Sequence, residues 1–329
     1  MKKLILSLII LLLVGILFGV YFIYIPNTQK NAVLYIPKNA SFQQVTDSLS
    51  KHHILKNNLS FKLVAHAIKY PQYISRGKYK IEKGENNLNL IKKLYRGQHY
   101  PVKFTFNNIR TKEQFVQKTE DKFLFSHKEL LQLLNDSSFL KKYGFTPQTV
   151  VSIFIPNTYE FYYDIDATDF FDKMYGYYNS FWNEKRVKSA EEIGLTPVEV
   201  ITLASIVEEE NFREEEKSII AGVYINRLHK GIKLQADPTV KFAVGDVTLK
   251  RILSEHLEVD SPYNTYIYEG LPPGPIRIPE SSTIDSVLYY RKHSYIFMCA
   301  KPDLSGYHNF TSSASEHLRN AAQYHRAIK

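Results

Sequence analysis

The chain has 329 residues, 44% of them hydrophobic, with a formal net charge of +9 and a single cysteine. That much apolar material excludes a disordered chain and suffices for about two domains. One cysteine, Cys299, excludes an intramolecular disulfide, and the positive balance suits an anionic surface such as lipid head groups or an acidic polymer, or simply a solvated lysine-rich face.

Lys2 and Lys3 precede an uncharged run from Leu4 to Ile25. At about 1.5 Å rise per residue such a run can cross a bilayer core of about 30 Å, so 4–25 is expected to be an uncleaved transmembrane anchor and not a signal peptide. The lysines assign a cytoplasmic tail to residues 1–3 and place everything after Pro26 outside the plasma membrane, in the periplasm or its equivalent, which argues against nucleic acid as a partner. Asn27 to Asn31 then reads as a short polar exit.

A strand-like alternation at Val33 to Ile36 leads to Ser41, an N-cap with Gln44 three positions on and with Phe42, Val45 and Leu49 on one helical face. The stretch VKFTFNNIRTKEQF repeats this pattern, with Thr111 as cap, Gln114 three on and Phe115 in the place of Val45. A second helix follows in each, Leu59 to Ile68 and His127 to Leu134, which predicts two small α+β modules over 32–100 and 101–150. Between them a strand through Tyr79 and Ile81 turns at Gly84 into a helix through Leu88, Ile91 and Leu94.

From residue 151 to 329 the texture changes, and a mixed α+β domain is expected. Thr168 or Asp169 is the expected cap of a helix carrying Phe170, Phe171, Met174 and Tyr178, whose spacing reads as core. Thr196-Pro197 opens a helix ending in LASIVEEE, and a second helix spans Glu214 to Leu228. Gln235 to Pro279, rich in Pro, Gly, Asn and Tyr, reads as a long loop region, and loops of that length usually carry function. Cys299, in YIFMCA, reads as part of a buried strand.

On a helical wheel Ile201, Leu203, Ala204 and Val207 share one arc, Thr202, Ser205 and Glu209 lie opposite, and Glu208 and Glu210 fall on the two flanks of the apolar stripe. A carboxyl group held against apolar neighbours stays protonated nearer neutral pH, as a general acid must. The alternative is a helix end whose charges meet solvent. The clusters LQADPTV (Leu234 to Val240) and SPYNTYIYEGLPPGPI (Ser261 to Ile276) mix rigid prolines with amides, hydroxyls and tyrosines, a combination suited to sugars and equally to tight turns. No H-E-x-x-H metal spacing, nucleophile elbow or phosphate loop is present, so neither a metal nor another cofactor is expected.

LASIVEEE, AGVYINRL, LQADPTV, SPYNTY and GLPPGPI, in that order, resemble the YceG-like family of membrane-anchored endolytic murein transglycosylases. The resemblance spans essentially the whole chain: an anchor, a LysM-like region and a catalytic region. It implies a lyase that cuts the β-1,4 bond between N-acetylmuramic acid and N-acetylglucosamine in peptidoglycan strands and leaves 1,6-anhydro ends. On the family pattern the acid falls on Glu208, the first glutamate after Ser205-Ile206-Val207. Support or substrate contact is expected from Glu210, Ser205, Gln235, Asp237, Thr239, Tyr263, Asn264, Thr265, Tyr266, Leu271 and Pro272. The expected partners are glycan strands, the membrane and cell-wall synthases. Two departures are small: Glu209 where the pattern often has Lys, and Asn157 where it commonly has Asp. The rival readings are a hydrolytic muramidase using Asp237 with Glu208, and a noncatalytic membrane-tethered scaffold that only binds the wall polymer.

Overall fold

The computed structural model describes residues 6, 7, 9, 10, 13, 19–246, 249 and 251–328. Part of the run expected to form the anchor lies outside them, and among the described residues no helix is long and apolar enough to cross a membrane. The fold is α+β, with helices and small two-stranded sheets. Two compact units emerge. The first comprises Met1–Phe104, Asp121–Phe125 and Tyr159–Asp166; the second comprises Thr105–Glu120, Ser126–Thr158 and Ala167–Lys329.

In the first unit, strand β1 (Ala32–Ile36) pairs antiparallel with β2 (Gly77–Ile81), Leu34 opposite Tyr79. Helices α1 (Phe42–Lys51) and α2 (Asn58–Ala67) lie between them in sequence, and α3 (Asn87–Tyr95) follows. The period-2 residues Leu34 and Ile36 and the period-3.6 residues Val45, Leu49, Leu90 and Leu94 meet in one core with Phe61 and Tyr79. Ser41 and Gln44 form the reciprocal capping box expected of them. Asn27 and Thr28 are not a free polar exit. Both are buried, and Asn27 donates to Asn87 Oδ1 at 2.7 Å and accepts from the Asn57 amide at 2.8 Å, because the neighbouring backbone needs partners inside the fold.

Strand β3 (Pro101–Phe106) pairs with β4 (Asn157–Tyr162). The second unit holds the short helices α4 (Lys112–Gln117), α5 (His127–Leu133) and α6 (Ser137–Lys141), then the long α7 (Ala167–Phe181) and α8 (Glu184–Glu192). Thr111 caps α4 by accepting from the Gln114 amide, whereas the Gln114 side chain turns to the Arg110 amide instead of closing the box. Phe115 of α4 stacks on Phe154 with centroids 3.8 Å apart. Helix α7 buries Phe170, Phe171, Met174 and Tyr178 as its spacing predicts, but begins at Ala167, ahead of both expected caps.

The site is built from the remaining elements. Helix α9 (Pro197–Glu210) starts with a capping box between Thr196 and Glu199 and a first-turn proline, and buries every residue from Val200 to Val207. It is therefore buried all round and not on one stripe, with Thr202 and Ser205 sealed by bonds to backbone carbonyls one turn back. Helix α10 (Glu214–His229) packs against it. The stretch expected to be loop holds two helices, α11 (Asp237–Val244) and α12 (Ser254–Leu257); Pro238 in the first turn of α11 presets the helical φ, and Asp237 favours the helix N-terminus. Helix α13 (Ser281–Leu288), the antiparallel pair β5 (Phe297–Ala300) and β6 (His308–Thr311), and helix α14 (Ala314–Ala327) complete the unit.

Candidate active site

The three glutamates at the end of α9 meet three different environments. Glu208 faces the Lys217 ammonium of α10, with Nζ 3.3 Å from Oε2, and accepts a short hydrogen bond from the Thr283 hydroxyl of α13. Lys217 itself is only 2% exposed and also bonds Glu214 and Thr283. A buried ammonium needs an ionised partner. Glu208 is thus placed as a counterion to Lys217, the two lying 3.3 Å apart. Glu209 is held by two guanidinium groups, Arg110 at 3.0 Å and Arg277 at 2.5 Å.

Glu210 opens into a cleft of about 420 Å³. Around its carboxyl stand Tyr224, whose hydroxyl lies 3.3 Å from Oε2, Asp237 at the start of α11, and Tyr266. Burial pushes the Glu210 carboxyl up to about 7, and the negative charge of Asp237 adds to the shift; the Tyr224 hydrogen bond and Lys241 oppose it. Asp237 accepts from the Tyr266 hydroxyl at 2.7 Å, and burial raises that phenol well above its ordinary range. The opposite wall is β5 together with His317, Tyr324 and His325 of α14. Cys299 lies on this wall half-buried, not in the core, because the two-stranded β5–β6 sheet leaves its residues partly open; burial still raises its thiol.

Of the other expected site residues, Gln235 lines the cleft, with a left-handed φ of 49° that its amide bond to the Thr265 carbonyl holds in place. Ser205, Thr239, Asn264 and Thr265 are fully buried and satisfied within the protein. The Ser205 hydroxyl accepts from the Ile276 amide at 3.0 Å, Thr239 and Thr265 share a 2.8 Å contact, and Asn264 donates to the Leu257 and Val259 carbonyls. Thr239, Asn264 and Thr265 shape the segments that carry Asp237 and Tyr266, and Ser205 ties α9 to Ile276; none of the four is among the residues lining the cleft. Tyr263 packs on Phe242 at 4.7 Å. Leu271 and Pro272 line a separate cavity of about 550 Å³ near Thr196 and His229, away from Glu210.

Tyr224 and Arg227, both on α10, were not anticipated. Arg227 is 8% exposed and ties three strands of chain together: Nε donates to the Ile296 carbonyl at 2.7 Å, and Nη1 donates to the Lys233 and Leu234 carbonyls at 3.1 and 2.6 Å. Their signal in the sequence is the i, i+3 spacing of two polar-tipped side chains on an otherwise apolar helix, AGVYINRL.

The cleft thus holds one carboxyl with a raised pKa at a helix end, between Tyr224 and Asp237. The model of the YceG-like family matches residues 34–323, and the chain belongs to that family. It is 29% identical over 307 residues to the endolytic murein transglycosylase of Bacillus subtilis (strain 168), an alignment covering 88% of this chain and 83% of that protein. The endolytic murein transglycosylase of Streptococcus pneumoniae serotype 2 is 25% identical over 338 residues; the match covers 91% of this chain but 59% of that longer relative. Among solved structures, a YceG-like protein from Listeria monocytogenes superposes with a TM-score of 0.56 at 25% identity, over 89% of this chain and 99% of that one.

Proposed function

We propose that the chain is a lytic transglycosylase that cuts peptidoglycan strands internally, with Glu210 as its single acid and base. The observation that carries the residue assignment is the Glu210 carboxyl, raised to about 7 inside a cleft where Glu208 and Glu209 are already paired with cations. Family membership and the names of the relatives supply the substrate class. In the reaction, Glu210 delivers its proton to the glycosidic oxygen as the bond from C1 to that oxygen breaks. The resulting carboxylate then takes the proton of the muramyl 6-hydroxyl as that oxygen bonds to C1, closing the 1,6-anhydro ring and restoring the acid. No water enters the balance. Tyr224 orients the carboxyl, and burial, with the charge of Asp237 adding to it, holds its proton.

A hydrolytic reading has one observation in its favour: Asp237 shares the cleft, and paired carboxylates are the usual hydrolytic arrangement. Mass spectrometry of glycan strands after incubation with the purified chain separates the readings. Anhydro ends support transglycosylation, new reducing ends support hydrolysis, and uncut strands that remain bound support a scaffold.

Asp237→Asn keeps an acceptor for Tyr266 but removes the charge that helps raise Glu210. The Glu210 pKa then falls, its proton is lost at lower pH, and the alkaline limb of the rate profile is expected to move toward acid. A limb that stays in place would remove Asp237 from this role.

The order β1–α1–α2–β2 supports reading the first unit as a LysM-like, strand-holding module. Tyr73 and Tyr95, both exposed, form an edge-to-face pair at 5.5 Å that suits stacking on pyranose rings. Replacing both with Ala is expected to weaken binding of long strands about two- to tenfold without slowing the cutting of saturating short ones. Equal loss of binding and rate would place these tyrosines in the catalytic path. Localisation follows the same proposal: the charge asymmetry of Lys2 and Lys3 and the apolar run 4–25 suit a single-pass anchor with the cleft outside the plasma membrane, near the wall synthases. A reporter enzyme fused after Lys329 is expected to work only outside the cytoplasm; cytoplasmic activity contradicts the arrangement.

A further inference from the structure

One buried carboxylate in the second unit takes no part in the chemistry above. Glu216, in the first turn of α10, is 5% exposed and accepts three hydrogen bonds: from Asn211 Nδ2 at 2.7 Å, from the His308 amide at 2.9 Å and from His308 Nδ1 at 2.9 Å. Asn211 is the C-cap of α9, the residue directly after Glu210. It is also 5% exposed; its side-chain oxygen accepts from the Arg213 amide at 2.9 Å, and its Nδ2 reaches the Gly306 carbonyl at 3.3 Å. His308 opens β6 and sits opposite Ala300 of β5, the strand that forms the far wall of the cleft. The end of the catalytic helix and the opposing wall are thus fastened to the same two oxygens.

We infer that Glu216 is a positioning residue for the proposed reaction: through Asn211 and His308 it fixes the gap between the Glu210 carboxyl and the β5 wall. The inference rests on the transglycosylase reading above. A buried carboxylate with three donors is strongly directional, and removing one acceptor oxygen leaves a buried donor without a partner. Loosening the gap admits water to Glu210, and since burial is the first cause of its raised pKa, solvation lowers that pKa. The other charged or titratable groups facing Glu210 are Asp237 and Lys241 on α11, Tyr224 and Arg227 on α10, Tyr266, Cys299 on β5, and His317, Tyr324 and His325 on α14. None of them bonds Glu216, so they are constant across the test.

The test compares pH–rate profiles for anhydro-end formation by the full chain carrying Glu216→Gln, His308→Val or His308→Asn, with melting temperature as a folding control. The Gln variant turns an acceptor into a donor facing Asn211 or His308. Valine removes the imidazole donor, and asparagine keeps an N–H near the position of Nδ1. Expected are a kcat lower by about tenfold to a hundredfold for Glu216→Gln and His308→Val, an alkaline limb displaced to lower pH in both, and partial recovery of both readouts in His308→Asn. Glu215→Gln, an exposed neighbour in the same turn, is expected to match wild type. Folded Glu216→Gln and His308→Val proteins with an unmoved alkaline limb overturn the inference, whatever their melting temperature. If Glu216→Gln does not fold, the His308 pair decides alone: equal profiles for Val and Asn overturn it. Wild-type protein that forms no anhydro ends overturns the activity reading, and this inference with it.

Discussion

Glu210→Gln is expected to form anhydro ends about a hundred- to ten-thousand-fold more slowly than wild type, the usual worth of general acid–base catalysis, while strand binding persists. Glutamine keeps the shape and can still meet the Tyr224 hydroxyl, so only the transferable proton is lost. A second readout is independent of substrate. The folded Glu210 carboxyl sits at about 7 against an ordinary 4.5, so the folded chain holds this proton more tightly than the unfolded one. That contribution to stability is complete below the ordinary carboxyl range and is lost as pH rises toward about 7. The melting temperature should therefore decline across this window in wild type, with a shallower decline in Glu210→Gln. Activity surviving in Glu210→Gln but absent from a well-folded Glu208→Gln would return the acid to Glu208.

The second large effect belongs to Arg227→Lys. An ammonium cannot meet the Ile296, Lys233 and Leu234 carbonyls together as the guanidinium fork does, so at least two bonds from a charged donor are lost, about 1.5 kcal/mol or more each. A melting temperature lower by about 6–12 °C is expected for a unit of this size. Activity should fall with it, because Arg227 joins the segment before Asp237 to the chain entering β5. A stable Arg227→Lys protein would mean that the carbonyls find water, and that the cleft walls do not depend on this side chain.

Much of the architecture was legible because it follows from local rules. The capping box at Ser41, the helix opening at Thr196-Pro197, the aromatic face of α7 and the end of α9 at its glutamates need only nearby residues, and the structure bears them out. The different surroundings of Glu208 and Glu210 were not legible. The wheel makes them equivalent, and what separates them arrives from elsewhere in the sequence: Lys217 and Thr283 on one side, Tyr224 and Asp237 on the other. The same reason explains Ser205, Thr239, Asn264 and Thr265. Their side chains carry the donors and acceptors a sugar site needs, but whether those groups face ligand or backbone depends on loop closure over 26 to 71 positions for the pairs Thr239–Thr265 and Ser205–Ile276. Proline and asparagine marked Gln235 to Pro279 as loop, yet Pro238 at a first helical turn is equally a helix opener.

The first unit is assembled from three separated pieces of chain, the last being Tyr159–Asp166, and this bears on how the protein is made. Asp164 in that last piece pairs with Arg76 at 3.2 Å and with His99 at 3.1 Å, and the Leu124 amide donates to the Tyr163 carbonyl. A nascent chain therefore cannot finish its leading unit when residue 104 leaves the ribosome. It must wait for residue 166, roughly 3–12 s later at a synthesis rate of about 5–20 residues per second. In that interval the interrupted strand β3 has no β4 to pair with, so the half-built unit presents an open edge to chaperones, to proteases and to other copies of itself.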